Sequence, residues 1–186
     1  MAAQVLKHRF TADDYHQMAR TGILREDDRV ELVNGEIMDM TPIGSEHNAS
    51  VDVLNHRLTL ALGGRAIVRV QGSLRLSPDS EAQPDIAVLR FRADFYRDVV
   101  AGPADTILVI EVADTSLAYD RGLKIPLYAR FGISEVWIVD LVGRQVEIFR
   151  TSTPDGYREV QRCGYGSSVW PTAFPDIRLS VDEIVG

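Results

Sequence analysis

The sequence predicts a mixed α/β fold over one domain, residues 1–186: a central mixed β-sheet flanked by helices, preceded by an N-terminal helix and a β-hairpin. Three observations predict it. Thr106-Ile-Leu-Val-Ile-Glu-Val-Ala113 is almost continuously apolar and β-branched, as in a strand buried on both faces. Val51, Leu54, Leu58 and Leu62 recur at helical spacing. A strand–helix–strand unit over 106–140 implies a right-handed crossover and a partly parallel sheet.

Taken in order, Thr11-Ala-Asp-Asp14 is a capping box that starts a short helix ending near Arg20. Residues 29–40 form a hairpin about Asn34-Gly35, two residues that tolerate positive φ. A helix follows from Ser45 to about Leu62, ended by Gly63-Gly64. Residues 66–76 give one or two strands broken at Gly72, and Ser77 to Gln83 is expected to be a loop. Pro84 opens a strand to Leu89, a position where its missing N–H does little harm. Tyr119–Phe131 has helical character, but Pro126 conflicts with a regular helix unless the helix starts near Leu123 or bends. Glu135–Asp140 is a buried strand, with neighbours at Gln145–Phe149 and Tyr157–Gln161. The tail around Trp170, Pro171 and Pro175 is expected to be packed coil.

Composition sets limits. Hydrophobic residues are 45% and charged residues 25% of the 186, ordinary for a globular protein. Cys163 is the single cysteine, so no internal disulfide forms, which suits the reducing cytoplasm. Met1–Phe10 lacks the apolar core of a signal peptide, and no run reaches the roughly 20 apolar residues of a membrane helix. The net charge of −7 argues against broad adhesion to nucleic acid and requires any such contact to be local. Arg65, Arg69, Arg75, Arg90 and Arg92 are the candidates for a local basic groove; the bland alternative is the solvated face of the sheet.

Three residues carry the chemical signal. On the strand 106–113 the alternation sets Glu111 on one face with Ile107 and Val109, where a lone carboxylate is costly unless paired or metal-bound. Asp85 stands at the start of its strand, a place where polar residues are also common for structural reasons. Lys124 lies on the helix after the Glu111 strand and is one of only two lysines beside 18 arginines. Its bland reading is an exposed i, i+4 pair with Asp120. The four histidines lack zinc-like spacing. Gly164-Tyr-Gly-Ser-Ser168 reads as a turn, no nucleophile elbow is present, and no glycine-rich phosphate loop is found.

Pro84-Asp85, a buried-strand Glu111 and a nearby lysine resemble the PD-(D/E)XK nuclease superfamily. The usual lysine position, two residues after the acid, is Ala113 here, and Lys124 is placed as in members that supply the lysine from the following helix. Val30-Glu-Leu-Val-Asn-Gly-Glu36, Gln83-Pro-Asp85, Val109-Ile-Glu-Val112, Tyr119-Asp-Arg-Gly-Leu-Lys124, Leu127-Tyr-Ala-Arg130 and Glu135-Val-Trp-Ile-Val-Asp140 resemble the bacterial Uma-two family of restriction-type endonucleases over roughly residues 10–180. The turn Ala113-Asp-Thr-Ser116 departs from the Ser-Pro-Ser-Thr common there.

The resemblance implies a restriction-endonuclease-like sheet and Mg²⁺-dependent hydrolysis of DNA phosphodiesters, with Mn²⁺ able to substitute. It implies Asp85, Glu111 and the backbone carbonyl of Val112 as metal ligands, and Lys124 as the residue that orients water or neutralises the phosphate. Glu31 enters as a further catalytic acid, and His47, Gln83 and Tyr128 as substrate-binding or supporting residues. His47 has a blander alternative as an exposed histidine near a helix start. A homodimer is implied for double-strand cutting. The rival class is a non-catalytic nuclease-like module for binding or assembly, which the negative charge and displaced lysine favour.

Overall fold

The computed structural model describes residues 7–25 and 27–186. The first six residues, on which the reading of a leader-free start partly rests, lie outside the described residues.

Helix α1 (Ala12–Arg20) begins at the expected capping box, Thr11 and Asp14 each accepting the other's backbone N–H. Strands β1 (Val30–Val33) and β2 (Glu36–Asp39) form the hairpin, with Asn34 and Gly35 at φ +50° and +76°. Helix α2 (Ser45–Leu62) ends on left-handed Gly63. Then come β3 (Ala66–Val70), β4 (Leu74–Ser77), β5 (Ser80–Ala82), β6 (Ile86–Arg90) and the long β7 (Thr106–Ala113). A helical segment over 117–130 leads to β8 (Glu135–Asp140), β9 (Gln145–Thr153) and β10 (Gly156–Gly164). Short β11 (Ser168–Val169), β12 (Leu179–Ser180) and α5 (Val181–Val185) complete the chain.

The central sheet has the order β10-β9-β8-β7-β6-β3, with β7 and β8 parallel and every other pair antiparallel. One face packs on α2 and α5, where Leu54, Leu58 and Leu62 meet Leu108, Ile110 and Trp137. The other face, carrying Val109, Ala113 and Ile138, packs on the 125–128 helix and on a second sheet of order β2-β1-β5-β4. Val109, Ala113 and Glu111 share this second face; partly buried Ile107 packs with the first, past a β-bulge opposite Val88 and Leu89.

Two expectations are corrected. The segment 77–83 is not all loop: Ser80–Ala82 forms β5 between β1 and β4, and all three residues are buried. Its polar sequence carries no strand pattern; it is held as a strand by the adjacent β4 on one side and by β1 on the other. The region 66–76 holds two strands separated at Gly72, as expected, and they belong to different sheets, β3 to the central one and β4 to the second. The tail is coil between β11 and β12 but ends in α5, whose Val181 and Ile184 join the core.

Pro126 is accommodated by a change of helix type. After one helical turn at α3 (Leu117–Tyr119), residues Asp120–Lys124 form a π turn, and the Ile125 N–H bonds the Asp120 carbonyl. Pro126 then falls in the first turn of α4 (Ile125–Arg130), where a missing N–H costs little.

Candidate active site

The sheet register brings the acids together. Antiparallel pairing of Ile86 with Ile110 puts Asp85, one residue before β6, beside Glu111. The Asp85 N–H lies 3.4 Å from Glu111 Oε2, and Asp85 Oδ2 accepts the Val112 N–H at 2.8 Å. Asp85 Oδ1 faces His47 Nε2 at 3.1 Å. His47 sits in the first turn of α2 and is buried, not exposed at a helix end.

The lysine arrives from the opposite side. The π turn directs Lys124 inward, its Nζ 3.1 Å from Glu111 Oε1 and 3.3 Å from Glu31 Oε2. Glu111 Oε1 also accepts the Tyr128 hydroxyl at 2.6 Å. Glu31, on β1, accepts the Tyr119 hydroxyl at 2.9 Å and the Gln83 backbone N–H at 3.3 Å. The bland alternative for Lys124, an exposed pair with Asp120, is not formed: both residues are buried, and Asp120 accepts from Ser116 Oγ at 2.7 Å. Asp85, Glu111, Val112, Glu31, His47 and Lys124 all line one cleft of about 200 Å³.

Electrostatics follow from burial. Desolvation is the main cause that pushes the Glu111 carboxyl up to about 8; Asp120 and Asp85 add to the rise, while Lys124 and the Tyr128 hydroxyl oppose it. Burial also works against the charge of Lys124, but Glu111, Glu31 and Asp120 together outweigh it and hold the ammonium well above the ordinary lysine range. Burial raises Asp120 as well. Four buried carboxylates, from Glu31, Asp85, Glu111 and Asp120, thus face one buried lysine in the cleft. Such an excess of desolvated acid is relieved by protons or by a bound cation.

The donors suit a hard cation. They are oxygens, and a small divalent ion such as Mg²⁺ takes one or two carboxylates and keeps several waters. Among the described residues, no group of three or more His, Cys, Asp or Glu side chains is placed to hold a metal ion. An open site using Asp85 and Glu111, with room for water in the cleft, fits that donor set; a tetrahedral zinc cage does not.

The profile of the Uma2 family, described as "Putative restriction endonuclease", matches residues 12–182. The chain belongs to the Uma2 family. A solved structure described as "a putative nuclease belonging to DUF820 from Anabaena variabilis ATCC 29413" superposes with a TM-score of 0.73 at 16% identity, covering 95% of this chain and 97% of the other. At that identity the likeness is one of fold: a mixed sheet flanked by helices. No curated protein matches the sequence. Among the described residues no helix is long and apolar enough to cross a membrane.

Within this Uma2 chain the five arginines named as candidates for a groove do not line the cleft; its cationic side chains are Arg29 and Lys124. Arg65 pairs with Asp176 at 2.7 Å, Arg75 with Glu81 at 3.0 Å and Arg92 with Asp94 at 2.6 Å. Arg69 lies over the Tyr96 ring, and Arg90 bonds the Ala104 carbonyl. Sequence reading missed Tyr119 and Asp120 as site residues. Both lie in the motif Tyr119-Asp-Arg-Gly-Leu-Lys124, but their place in the cleft depends on which distant segments meet there, Glu31 of β1 for the Tyr119 hydroxyl, which no sequence period reports.

Proposed function

We propose that the protein is a metal-dependent endodeoxyribonuclease of the PD-(D/E)XK type, acting through one nuclease-like domain, with Mg²⁺ as its ion and Mn²⁺ as a substitute. The observation that carries this reading is the convergence of Asp85, Glu111 and Lys124 in one cleft from three separate elements. Asp85, Glu111 and the Val112 carbonyl would hold the ion. When bound, the ion supplies positive charge against the scissile phosphate and lowers the pKa of a water ligand.

The chain's own residues do the rest. Lys124, kept charged between Glu111 and Glu31, offers ammonium protons to a phosphate oxygen and stabilises charge developing in the transition state. The Tyr128 hydroxyl fixes one oxygen of Glu111, and His47 fixes one oxygen of Asp85, so both carboxylates present set orientations. Glu31, itself held by Tyr119 and the Gln83 backbone, limits where the Lys124 amine can reach.

Incubation of supercoiled plasmid with purified protein tests the proposal. Nicking or cutting is expected with Mg²⁺ or Mn²⁺ and not with EDTA. Asp85→Ala, Glu111→Ala and Lys124→Ala should each lower the rate by about 100-fold or more. Undiminished cutting by all three variants defeats the site assignment. Calorimetry that finds no Mg²⁺ binding, or binding indifferent to Asp85→Ala, favours a non-catalytic module instead.

A further inference from the structure

The π turn that delivers Lys124 has a second point of attachment, which the proposed chemistry does not use. Register places Glu111, Ile138, Glu147 and Arg162 opposite one another on β7, β8, β9 and β10, so their side chains share one face of the sheet. Glu111 and Glu147 are two strands apart, about 10 Å. The segment Asp120–Lys124 lies over this row. Lys124 meets Glu111, while Arg121 reaches Glu147 with two hydrogen bonds of 2.9 Å, one from Nε and one from Nη2. Nη2 also contacts Asp140 Oδ2 at 3.4 Å.

Glu147 is 1% exposed, while Arg121 is exposed, its side chain at 39%. A two-pronged contact to a buried carboxylate fixes the guanidinium in position and direction, unlike an exposed single-point pair. Arg162 grips the same carboxylate at 2.6 Å from β10, but it has no connection to the turn. A π turn is a local departure from regular helical bonding, and this one is tied to the sheet at two points, by Arg121 and by Lys124.

We infer that Arg121 is a positioning residue, whose paired hydrogen bonds to Glu147 pin the π turn to the sheet and so hold the Lys124 amine between Glu111 and Glu31. The role depends on Lys124 being the cation of the site, as proposed above. Removing Arg121 frees the turn to relax toward regular helix or to swing away from the sheet, and the Lys124 amine becomes accessible.

The protein's lysine content makes this measurable without any nuclease activity. Lys7 and Lys124 are its two lysines, and Lys7 is exposed. Brief acetylation with acetic anhydride followed by peptide mass spectrometry gives the Lys124-to-Lys7 labelling ratio in the full chain. Arg121→Ala is expected to raise that ratio roughly fivefold or more, and Arg121→Lys, which cannot form the fork, by less. Arg162→Ala should leave it within about twofold of the parent, since that change loosens β10 and not the turn. Should Arg121→Ala fail to fold by circular dichroism, Glu147→Gln takes its place, with the same rise expected. An unchanged ratio in the folded variant, or an equal rise in Arg162→Ala, overturns the inference. If the protein cleaves DNA, Arg121→Ala should also lower kcat about tenfold with KM for DNA within about twofold, because the turn acts on Lys124 and not on substrate capture; a change confined to KM counts against it.

Discussion

Replacing Glu111 by glutamine should stabilise the metal-free protein while abolishing its chemistry. Glu111 is buried, and its carboxyl is raised from 4.5 to about 8 chiefly by desolvation, with the attraction of Lys124 already included. Between those two values the folded protein retains a proton that the unfolded chain has released, so stability falls as pH rises through the window. The resulting penalty is about 3 kcal/mol at pH 7 and about 5 kcal/mol above pH 8. Glutamine carries no charge to desolvate and keeps an oxygen for the Tyr128 hydroxyl and the Lys124 amine, which also retains Glu31. Urea unfolding of parent and Glu111→Gln in EDTA at pH 5, 7 and 9 measures the difference. The variant should gain little at pH 5, about 3 kcal/mol at pH 7 and more at pH 9. Mg²⁺ should stabilise the parent increasingly over the same pH range and the variant hardly at all, since the ion competes with the proton for Glu111. A variant less stable than the parent at pH 9, or a difference independent of pH, would mean that the ionised Glu111–Lys124 pair is net stabilising and that the reasoning fails.

Two further outcomes test other parts of the structure. His47→Ala removes the group that orients Asp85, and should weaken Mg²⁺ binding by about 10- to 100-fold, as read by calorimetry; unaltered affinity would remove His47 from the site. Gly35→Ala puts a Cβ at a residue with φ +76° and 2.6 Å from Arg9 Cβ, so chemical denaturation should show a loss of about 1–3 kcal/mol, against little change for an exposed position elsewhere on the hairpin.

What local sequence could determine, it determined well. Helix α2, the Asn34-Gly35 turn, the capping box at Thr11 and the buried strand β7 each follow from a pattern contained within a few residues. Glu111 stood out for the same reason: a carboxylate within a buried strand breaks an apolar pattern that can be read along the chain. Asp85, at a strand start where polar residues are common, stood out only through its place in the family motif. Lys124 stood out through its rarity and the family motif, but its sequence position was equally compatible with an exposed pair to Asp120.

Tertiary structure decided the rest, because the remaining features depend on which distant segments meet. The antiparallel register of β6 and β7 sets Asp85 beside Glu111. Asp120 and Lys124 share a face at i, i+4, but that this face turns inward and not to solvent is decided by how the 117–130 segment packs on the sheet. Glu31 meets Lys124 only because the hairpin sheet packs on the Glu111 face of the central sheet. β5 is a strand only because β1 and β4 bond it from both sides, and Ser80-Glu-Ala82 carries no alternation to announce it. Side-chain pattern along a chain reports which residues avoid water; the partners they find there are fixed by pairing between elements far apart in sequence.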